Sequence, residues 1–390
     1  MTIVLNTGYI PLVDAAPLII AREMGFDEEE GLELNLRKAP SWSTLRDMLA
    51  MGQIEAAHML SPVPVAMALG LGGLPVQLEA LSVLSVNGTV TGVSQRLAKL
   101  LRDQGYSFDF KDAKAAGLAL IATGQKLRIG VPFPFSMHAE LLFYWLNSLG
   151  LPAPQALDIR TVPPQLMAQA MANDEIDAFC VGEPWGSITV ENGAGELLLP
   201  GSAIWEFAPE KVLATRKGWA DQEPDLTGRL MRAVWRAGRW LADPLTTITA
   251  CEILSRNCYL GVAPEIVDRA LSGRLEISAR GEQRQVPGFL EFYSGAATFP
   301  WKSQAAWIGG QIASRMGMDR TEAMHKARAV FRSDLYRQHL ASATNDMPGA
   351  SDKIEGSLDH ATPVASESGR LILQPDRFFD GSIFDPALIR

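Results

Sequence analysis

The sequence predicts an α/β protein built from two similar lobes. Three observations support this prediction: the length and apolar content of the chain, a strand and helix alternation that occurs twice, and a tetrapeptide that recurs at the same place in both copies. At 390 residues and 47% hydrophobic content, the chain can fill two sizeable cores. We therefore expect two domains.

Each predicted lobe contains three strands separated by two helices. In the first copy we expect strands at 3–6, 32–36 and 54–60 and helices at 17–25 and 44–51. In the second copy we expect strands at 127–131, 157–162 and 176–181 and helices at 137–149 and 165–172. This βαβαβ order is typical of a parallel sheet covered by helices.

A short repeat strengthens the prediction of two related lobes. The sequence QIEA at 53–56 matches EIDA at 175–178, and each follows a predicted helix and opens a strand, 122 residues apart. From residue 225 onward, apolar residues at three- and four-residue spacing predict helices that return to the first lobe. Domain bounds follow from this pattern: lobe one at 1–88 plus 212–340, lobe two at 89–211, a mobile linker at 341–370 and a C-terminal tail at 371–390.

Composition and sequence pattern argue against nucleic-acid binding and against a membrane span. A net charge of -9 argues against direct nucleic-acid binding, which needs clustered Lys and Arg. The longest uncharged run, 59–78, contains Pro62, Pro64 and Gly72 and predicts a strand, a short helix and a loop rather than a membrane span.

Two features of the sequence predict a cytoplasmic location. The N-terminus enters an apparent strand directly, without the basic and apolar segments of a signal peptide. Three cysteines, Cys180, Cys251 and Cys258, are expected to be buried thiols, because the last two would be roughly 10 Å apart on a helix, too far for a disulfide. We therefore expect a protein of a reducing compartment.

Three residues stand where an open parallel sheet binds ligands, near helix N-termini at the carboxyl ends of strands. Trp42 precedes a helix for which Thr44 and Asp47 have the spacing of a capping box, and His138 lies in the first turn of a helix that Ser136 could cap. Lys211 lies where the chain should cross back to lobe one. Together they predict an anion site.

Each of these residues also has a structural interpretation. Trp42 could be a core or rim aromatic, His138 could serve as a cap or lie on the surface, and Lys211 could be a solvated lysine. A charged histidine at a helix N-terminus is unfavourable unless an anion lies beside it.

Several segments resemble the nitrate and bicarbonate substrate-binding family, which includes NrtA-like nitrate-binding proteins and cytoplasmic NasS-like nitrate/nitrite sensors. The similarity covers nearly the whole chain and rests on the following segments: 16–21, 41–47, 57–60, 162–165, 179–185, 209–211, 299–303, 378–381 and 384–386. It implies the two-lobed fold of type II periplasmic binding proteins, with the ligand in the cleft between the lobes.

The resemblance also implies which residues hold the ligand. It identifies Trp42, His138, Lys211 and Thr89 as the nitrate or nitrite ligands, and it adds Asn87, Gly88 and Ala15 beside them. Thr89 departs from the transporters, which carry a glutamine there, and residues 135–137 replace their glycines. The bicarbonate-binding relatives carry an acidic residue with a calcium ion at the position of Lys211, so the lysine favours nitrate or nitrite. We expect no metal and no cofactor.

The resemblance leaves two binding functions and one enzymatic alternative. The favoured hypothesis is a cytosolic sensor that closes on nitrate or nitrite and thereby releases an RNA-binding antitermination partner, NasT-like with an ANTAR domain. The alternative is the substrate-binding subunit of a nitrate ABC importer. An enzyme of thiamine-pyrimidine synthesis has a related fold but depends on a cysteine-rich motif, whereas Cys180 stands alone. The sequence shows no recognisable combination of a nucleophile with a general base, so we do not expect an enzyme.

Overall fold

A computed structural model describes residues 2–366 and 369–388 of the chain. Met1, which belongs to the predicted first lobe, lies outside these residues. So do residues 367 and 368 of the predicted linker and residues 389 and 390 of the predicted tail.

The strands and helices alternate through the first two hundred residues, after which helices predominate. The strands are β1 Ile3–Tyr9, β2 Leu32–Lys38, β3 Ala56–Leu60, β4 Leu78–Asn87, β5 Thr89–Ser94, β6 Arg128–Val131, β7 Asp158–Thr161, β8 Ala178–Gly182, β9 Gly195–Pro200, β10 Pro209–Arg216, β11 Arg274–Glu276, β12 Gln283–Gln285, β13 Leu290–Glu291, β14 Thr362–Pro363 and β15 Ile372–Leu373. The α-helices are α1 Ala16–Glu23, α2 Phe26–Glu29, α3 Trp42–Ala50, α4 Pro62–Ala68, α5 Gln95–Asp103, α6 Ala113–Ala122, α7 Met137–Ser148, α8 Met167–Ala172, α9 Trp185–Glu191, α10 Trp219–Gln222, α11 Pro224–Leu241, α12 Thr247–Ser255, α13 Pro264–Ser272, α14 Lys302–Met316, α15 Arg320–Arg328 and α16 Ser333–Leu340.

Two separate sheets confirm the predicted two-lobed α/β fold. The first has six strands in the order β13-β4-β10-β3-β1-β2, and the second has five in the order β7-β6-β8-β5-β9. In each lobe the strands of the βαβαβ unit are parallel, whereas β10 and β5 run antiparallel to their neighbours. Strand β4 is buried along its whole length, as expected of a strand covered on both faces.

The repeated tetrapeptide has the same structural role in both lobes. Glu55 precedes β3 and its carboxylate accepts a hydrogen bond from the backbone N–H of Asn6 at 2.8 Å. Asp177 precedes β8 and accepts one from the backbone N–H of Arg128 at 3.0 Å. Each acid therefore ties the third strand of its unit to the first strand, which explains why an acidic residue recurs at this position.

The chain passes between the lobes at two places, and the second differs from its predicted position. The first crossing is Gly88, between β4 in one sheet and β5 in the other. Lobe two was predicted to extend to residue 211, but its last strand ends at Pro200 and β10 already belongs to the first sheet. Lys211 pairs there with Leu60 and Ser85, because the apolar residues that follow it continue a central strand. Lys211 is thus a lobe-one residue.

Part of the segment predicted for lobe one contacts lobe two instead. The hairpin of β11 and β12 brings the carbonyl of Ile277 to the backbone N–H of Leu197 at 2.8 Å. Glu282 of the hairpin also pairs with Arg102 of α5 at 2.6 Å. The hairpin contacts lobe two through a backbone hydrogen bond and an ion pair between distant segments, and the local periodicity of the sequence does not predict such a contact.

The segment predicted as a mobile linker is packed where the structure describes it. Glu355 is fully buried and accepts a hydrogen bond from the hydroxyl of Ser303 at 2.6 Å, and Lys353 pairs with it at 2.6 Å. In the tail, Phe378 stacks on Trp205, with ring centroids 4.8 Å apart. Polar contacts hold the predicted linker, whose strand β14 is only two residues long, so the segment lacks the sequence periodicity of a longer strand or helix.

Two smaller predictions have different outcomes. Region 59–78 consists of the end of β3, helix α4 and a loop, as predicted. Within the described ranges no helix combines the length and apolar character that a membrane crossing requires. All three cysteines are free, but Cys258 is exposed rather than buried because α12 ends at Ser255, before it.

Candidate functional site

The first turns of two helices, one from each lobe, bring predicted site residues into the interior. Ser41 caps α3, its hydroxyl accepting a hydrogen bond from the backbone N–H of Thr44 at 3.2 Å. The cap therefore lies three residues before the predicted Thr44, and the helix begins at Trp42. Trp42 is 1% exposed, and its indole Nε1 has no hydrogen-bond partner among the described residues.

His138 is the second residue of α7, which Ser136 caps as predicted. Its imidazole is 1% exposed, and Nδ1 lies 3.2 Å from Oε1 of Glu210. Among the described residues neither Nδ1 nor Nε2 has a hydrogen-bond partner, so the approach to Glu210 is a close contact that is not aligned as a hydrogen bond. Burial, reinforced by the charge of Lys211, holds the pKa of His138 well below its usual value, so the ring is neutral at pH 7.

Lys211 is fully buried, which excludes the interpretation as a solvated surface lysine. Its Nζ lies 2.6 Å from Oδ2 of Asp14 and 2.8 Å from Oε1 of Glu210. The ammonium is also 5.6 Å from the ring centroid of Trp42, within the range of a cation–π contact. Burial lowers the pKa of Lys211, but the two carboxylates outweigh it and raise the pKa, so the lysine is charged.

Sequence analysis missed three ionisable residues of this site: Asp14, His58 and Glu210. Asp14 Oδ1 lies 2.9 Å from His58 Nε2, and the His58 ring packs 5.6 Å from that of Trp42. His58 and Glu210 both stand in segments that carried the family resemblance, and Glu210 precedes Lys211 directly. Asp14 and Glu210 adjoin the predicted residues Ala15 and Lys211, which was a local signal, whereas His58 adjoins none, and its contact with Asp14 joins residues far apart in the sequence.

Burial affects the carboxylates of the site differently. For Asp14 burial raises the pKa, but Lys211 and His58 together bring it well below the usual value, so Asp14 is ionised. For Glu210 burial dominates over Lys211 and raises the pKa to about 7. The site therefore contains one fixed negative charge, one fixed positive charge and one carboxyl group that titrates near neutrality.

Residues 87–89 contain the first crossing between the lobes. Asn87 has a left-handed backbone (φ 60°), and its amide donates to the carbonyl of Glu206 at 2.8 Å and accepts from the N–H of Ala208 at 3.1 Å. Asn87 thus clamps the two crossings together and is not free to bind a ligand, contrary to its predicted role. Gly88 supplies the second left-handed position (φ 91°), which favours glycine.

Thr89 and Ala15 are both buried beside the cluster. The Thr89 hydroxyl has no hydrogen-bond partner among the described residues and lies against the backbone of Gly201. Ala15 follows Asp14 in a short 3-10 helix and presents no polar side chain, and its backbone N–H donates to the carbonyl of Leu12 at 3.1 Å. The structure therefore brings together Trp42, His138 and Lys211, whereas Thr89 is placed one strand away, opposite Gly182 in the second sheet.

Close approach of the lobes encloses the cluster. A Cβ atom at Gly182 would lie 3.6 Å from Asp14 Oδ2 and 3.7 Å from His138 Nε2, so the backbone of β8 passes directly beside both groups. Across the same boundary, the indole of Trp185 donates to the carbonyl of Pro11 at 2.9 Å. The described side chains contain no group of three or more His, Cys, Asp or Glu arranged to hold a metal ion.

Two lobes that enclose buried charged and hydrogen-bonding groups define a ligand-binding protein of the periplasmic-binding-protein fold. Residues 3–255 match the model of the NMT1-like family, and the chain belongs to that family.

Named relatives support a binding protein. The nitrate/nitrite binding protein NrtA of Synechococcus elongatus is 31% identical over 394 residues, covering 97% of this chain and 83% of the relative. The bicarbonate-binding protein CmpA of a Synechococcus species is 26% identical over 404 residues, covering 98% and 84%. The crystal structure of the periplasmic nitrate-binding protein NrtA from Synechocystis superposes with a TM-score of 0.84 at 27% identity, covering all of this chain (100%) and 97% of that one. These relatives confirm the family resemblance and the prediction of a binding protein rather than an enzyme.

Proposed function

We propose that this protein binds nitrate or nitrite between its lobes, with Lys211 as the cation that balances the anion. The observation that carries the proposal is a fully buried ammonium beside the indole N–H of Trp42 and the Nε2 atom of His138, neither of which has a hydrogen-bond partner among the described residues. Buried donors normally find acceptors, and a small oxyanion supplies several. Similarity to NrtA along most of both chains supports the same class of ligand.

The size of the ligand limits the affinity. Nitrate has four heavy atoms, so a ceiling of about -1.5 kcal/mol per atom gives a binding free energy of roughly -6 kcal/mol, a Kd on the order of tens of micromolar. Calorimetric titration with nitrate, nitrite, bicarbonate and sulfate tests the proposal. We expect nitrate or nitrite to bind and the other two anions to bind more weakly. Preferential binding of bicarbonate would refute it.

Trp42→Phe is expected to weaken nitrate binding by about 1 kcal/mol, roughly fivefold. The substitution removes one N–H donor and keeps most of the packing surface, so only one hydrogen bond is lost. Calorimetry of the variant measures the change. Trp205→Phe is a matched control, because Trp205 is also fully buried with an Nε1 that has no partner among the described residues, but packs in the tail cluster. We expect it to bind nitrate like the wild type, and an equal loss in both variants would contradict the role of Trp42.

We further propose that the protein acts in the cytoplasm as a sensor. Closure of the lobes on the anion would change the surface offered to an antitermination partner with an ANTAR domain, so that the ligand shifts the population of the complex. The family resemblance to NasS-like proteins supports this proposal. The importer-subunit alternative has equal support, since the relatives named NrtA include a periplasmic protein.

Co-purification distinguishes these two functions. If the protein is a sensor, an ANTAR-type antiterminator from the same cell should co-purify with it, and adding nitrate or nitrite should release the partner. A complex that is indifferent to saturating nitrate would remove the sensor proposal and favour the importer. Fractionation of cells expressing the natural gene tests the location directly, since a periplasmic product contradicts the sensor.

A further inference from the structure

We propose that the site takes up its anion together with one proton, which Glu210 receives and which turns the Nε2 atom of His138 into a donor toward the anion. The proposal rests on the proposed binding of nitrate or nitrite and deepens it. It explains how the site can accept a negatively charged ligand although its lysine, Lys211, is already paired with carboxylates.

The charges in the ligand-free site leave no surplus positive charge for an anion. Lys211 already faces two carboxylates, Asp14 at 2.6 Å and Glu210 at 2.8 Å. With both carboxylates ionised and the imidazoles neutral, the cluster is negative before any anion arrives. Burying a second unpaired negative charge is costly. Proton uptake by the cluster avoids that cost.

The other titratable groups of the site do not take up this proton. Asp14 is held ionised by Lys211 and His58, although burial alone would raise its pKa. His58 is neutral, because burial lowers its pKa despite its contact with Asp14. Cys180 of β8 stays a neutral thiol, since burial raises its pKa to about 12. Glu210 is left, with a pKa that burial raises to about 7.

Glu210 also controls the tautomer of His138. Its Oε1 lies 3.2 Å from Nδ1 of the imidazole, and although the pair is not aligned as a hydrogen bond, no other described group engages Nδ1, so a small rotation of the ring aligns the two atoms. When Glu210 is ionised, it accepts from Nδ1–H, and Nε2 of a neutral ring is then a lone-pair acceptor that repels an anion. When Glu210 is protonated, it donates to Nδ1, and Nε2 carries the hydrogen. One proton therefore removes a negative charge and creates a donor.

The pH dependence follows from this linkage. A bound anion favours the protonated carboxyl, so the pKa of Glu210 in the complex lies above its value of about 7 in the free protein. Between these two pKa values the affinity falls as pH rises, by up to about tenfold per pH unit. Below pH 7 Glu210 is already protonated, and the affinity levels off.

Calorimetry of the full chain with sodium nitrate and with sodium nitrite tests the proposal. Titrations at about pH 8 in buffers of different ionisation enthalpy count the protons taken up, and we expect close to one per anion. Titrations from about pH 6 to 8.5 should show a plateau followed by a decline. Anion binding without proton uptake and without pH dependence would overturn proton coupling but leave the proposed function intact. No binding at any pH would overturn the proposed function itself.

Two variants locate the proton. Glu210→Gln replaces the carboxyl with a neutral isostere, and we expect nitrate affinity to vary less than about twofold over the same pH range. Glu183→Gln is the matched control: Glu183 is also buried with a pKa raised to about 7, but its carboxylate accepts a hydrogen bond from Ser187 N–H at 3.0 Å and forms no described ion pair with Lys211. It should keep the wild-type decline. An undiminished pH dependence in Glu210→Gln overturns the assignment.

Nuclear magnetic resonance tests the proposal on the wild-type protein. Because it needs no variant, misfolding of a variant cannot affect the result. The chain has five histidines, so the imidazole nitrogens of His138 can be assigned. We expect the neutral Nε2–H tautomer in the nitrate complex. A neutral Nδ1–H tautomer in that complex would overturn the proposal.

Discussion

Lys211→Ala is expected to abolish measurable nitrate binding and to lower the free energy of unfolding by about 3 to 5 kcal/mol, because it breaks a buried ion pair and leaves a charge without its partner. Asp14 is only 2% exposed and lies 2.6 Å from the ammonium that the substitution removes. The bound anion loses its cation at the same time, which by itself costs about 2 to 5 kcal/mol of binding. Calorimetry and urea unfolding measure the two effects separately.

The double variant Asp14→Asn/Lys211→Met separates stability from binding. It removes both members of the Asp14–Lys211 pair, and Glu210, which loses the cation that lowers its pKa, is then protonated at pH 7, so no unpaired buried charge remains. Replacing a buried pair by neutral groups is often nearly neutral for stability. We expect most of the unfolding free energy to return while nitrate still fails to bind. A Lys211→Ala protein that binds nitrate as the wild type does would refute the site.

Arg315→Ala is expected to weaken nitrate binding at least tenfold by disfavouring contact between the lobes. Arg315 of α14 donates two hydrogen bonds to the carboxylate of Glu140 in α7, at 2.5 and 2.7 Å, and Glu140 is 1% exposed. Without the guanidinium, the closed form must bury an unpaired carboxylate, at a cost of about 3 to 5 kcal/mol. Opening the lobes hydrates Glu140 and avoids that cost. Calorimetry and small-angle scattering report the lost affinity and the more open shape.

The matched control is Arg328→Ala. Arg328 pairs with Asp352 at 2.7 Å, but both side chains are more than a quarter exposed and neither belongs to the second sheet. Water can solvate Asp352 after the substitution, so we expect a loss below about 1 kcal/mol and unchanged nitrate affinity. The lobe-contact explanation is contradicted if Arg315→Ala keeps wild-type affinity and dimensions.

The candidate ligands could be predicted because each stands at a position that local sequence defines. Trp42 and His138 follow capping serines at the start of helices, and the strand and helix alternation places both starts at the carboxyl ends of strands. Lys211 was predicted to lie where the chain crosses back to lobe one. Its assignment to the second lobe was wrong, because the local sequence of β10 does not show which of the two sheets the strand joins.

The partners of those ligands could not be predicted. Asp14 and Lys211 are almost two hundred positions apart, and the pairing of β10 with β3 and β4 is what brings their side chains within 2.6 Å. Asn87 looked like a ligand in the sequence, but its left-handed backbone turns the amide onto the two crossings. Such roles depend on distances across the fold rather than on spacing along the chain.

The sequence by itself determined the α/β class and the two related lobes, and it predicted that Trp42, His138 and Lys211 belong to one site. Helix capping, strand periodicity and an internal repeat are local properties that the order of residues encodes directly. Only the tertiary structure decided the charge state of the site. The ionisation of Asp14, Glu210 and His138 depends on which charges lie within a few ångströms and on how far water is excluded. Both conditions arise only when distant segments pack together.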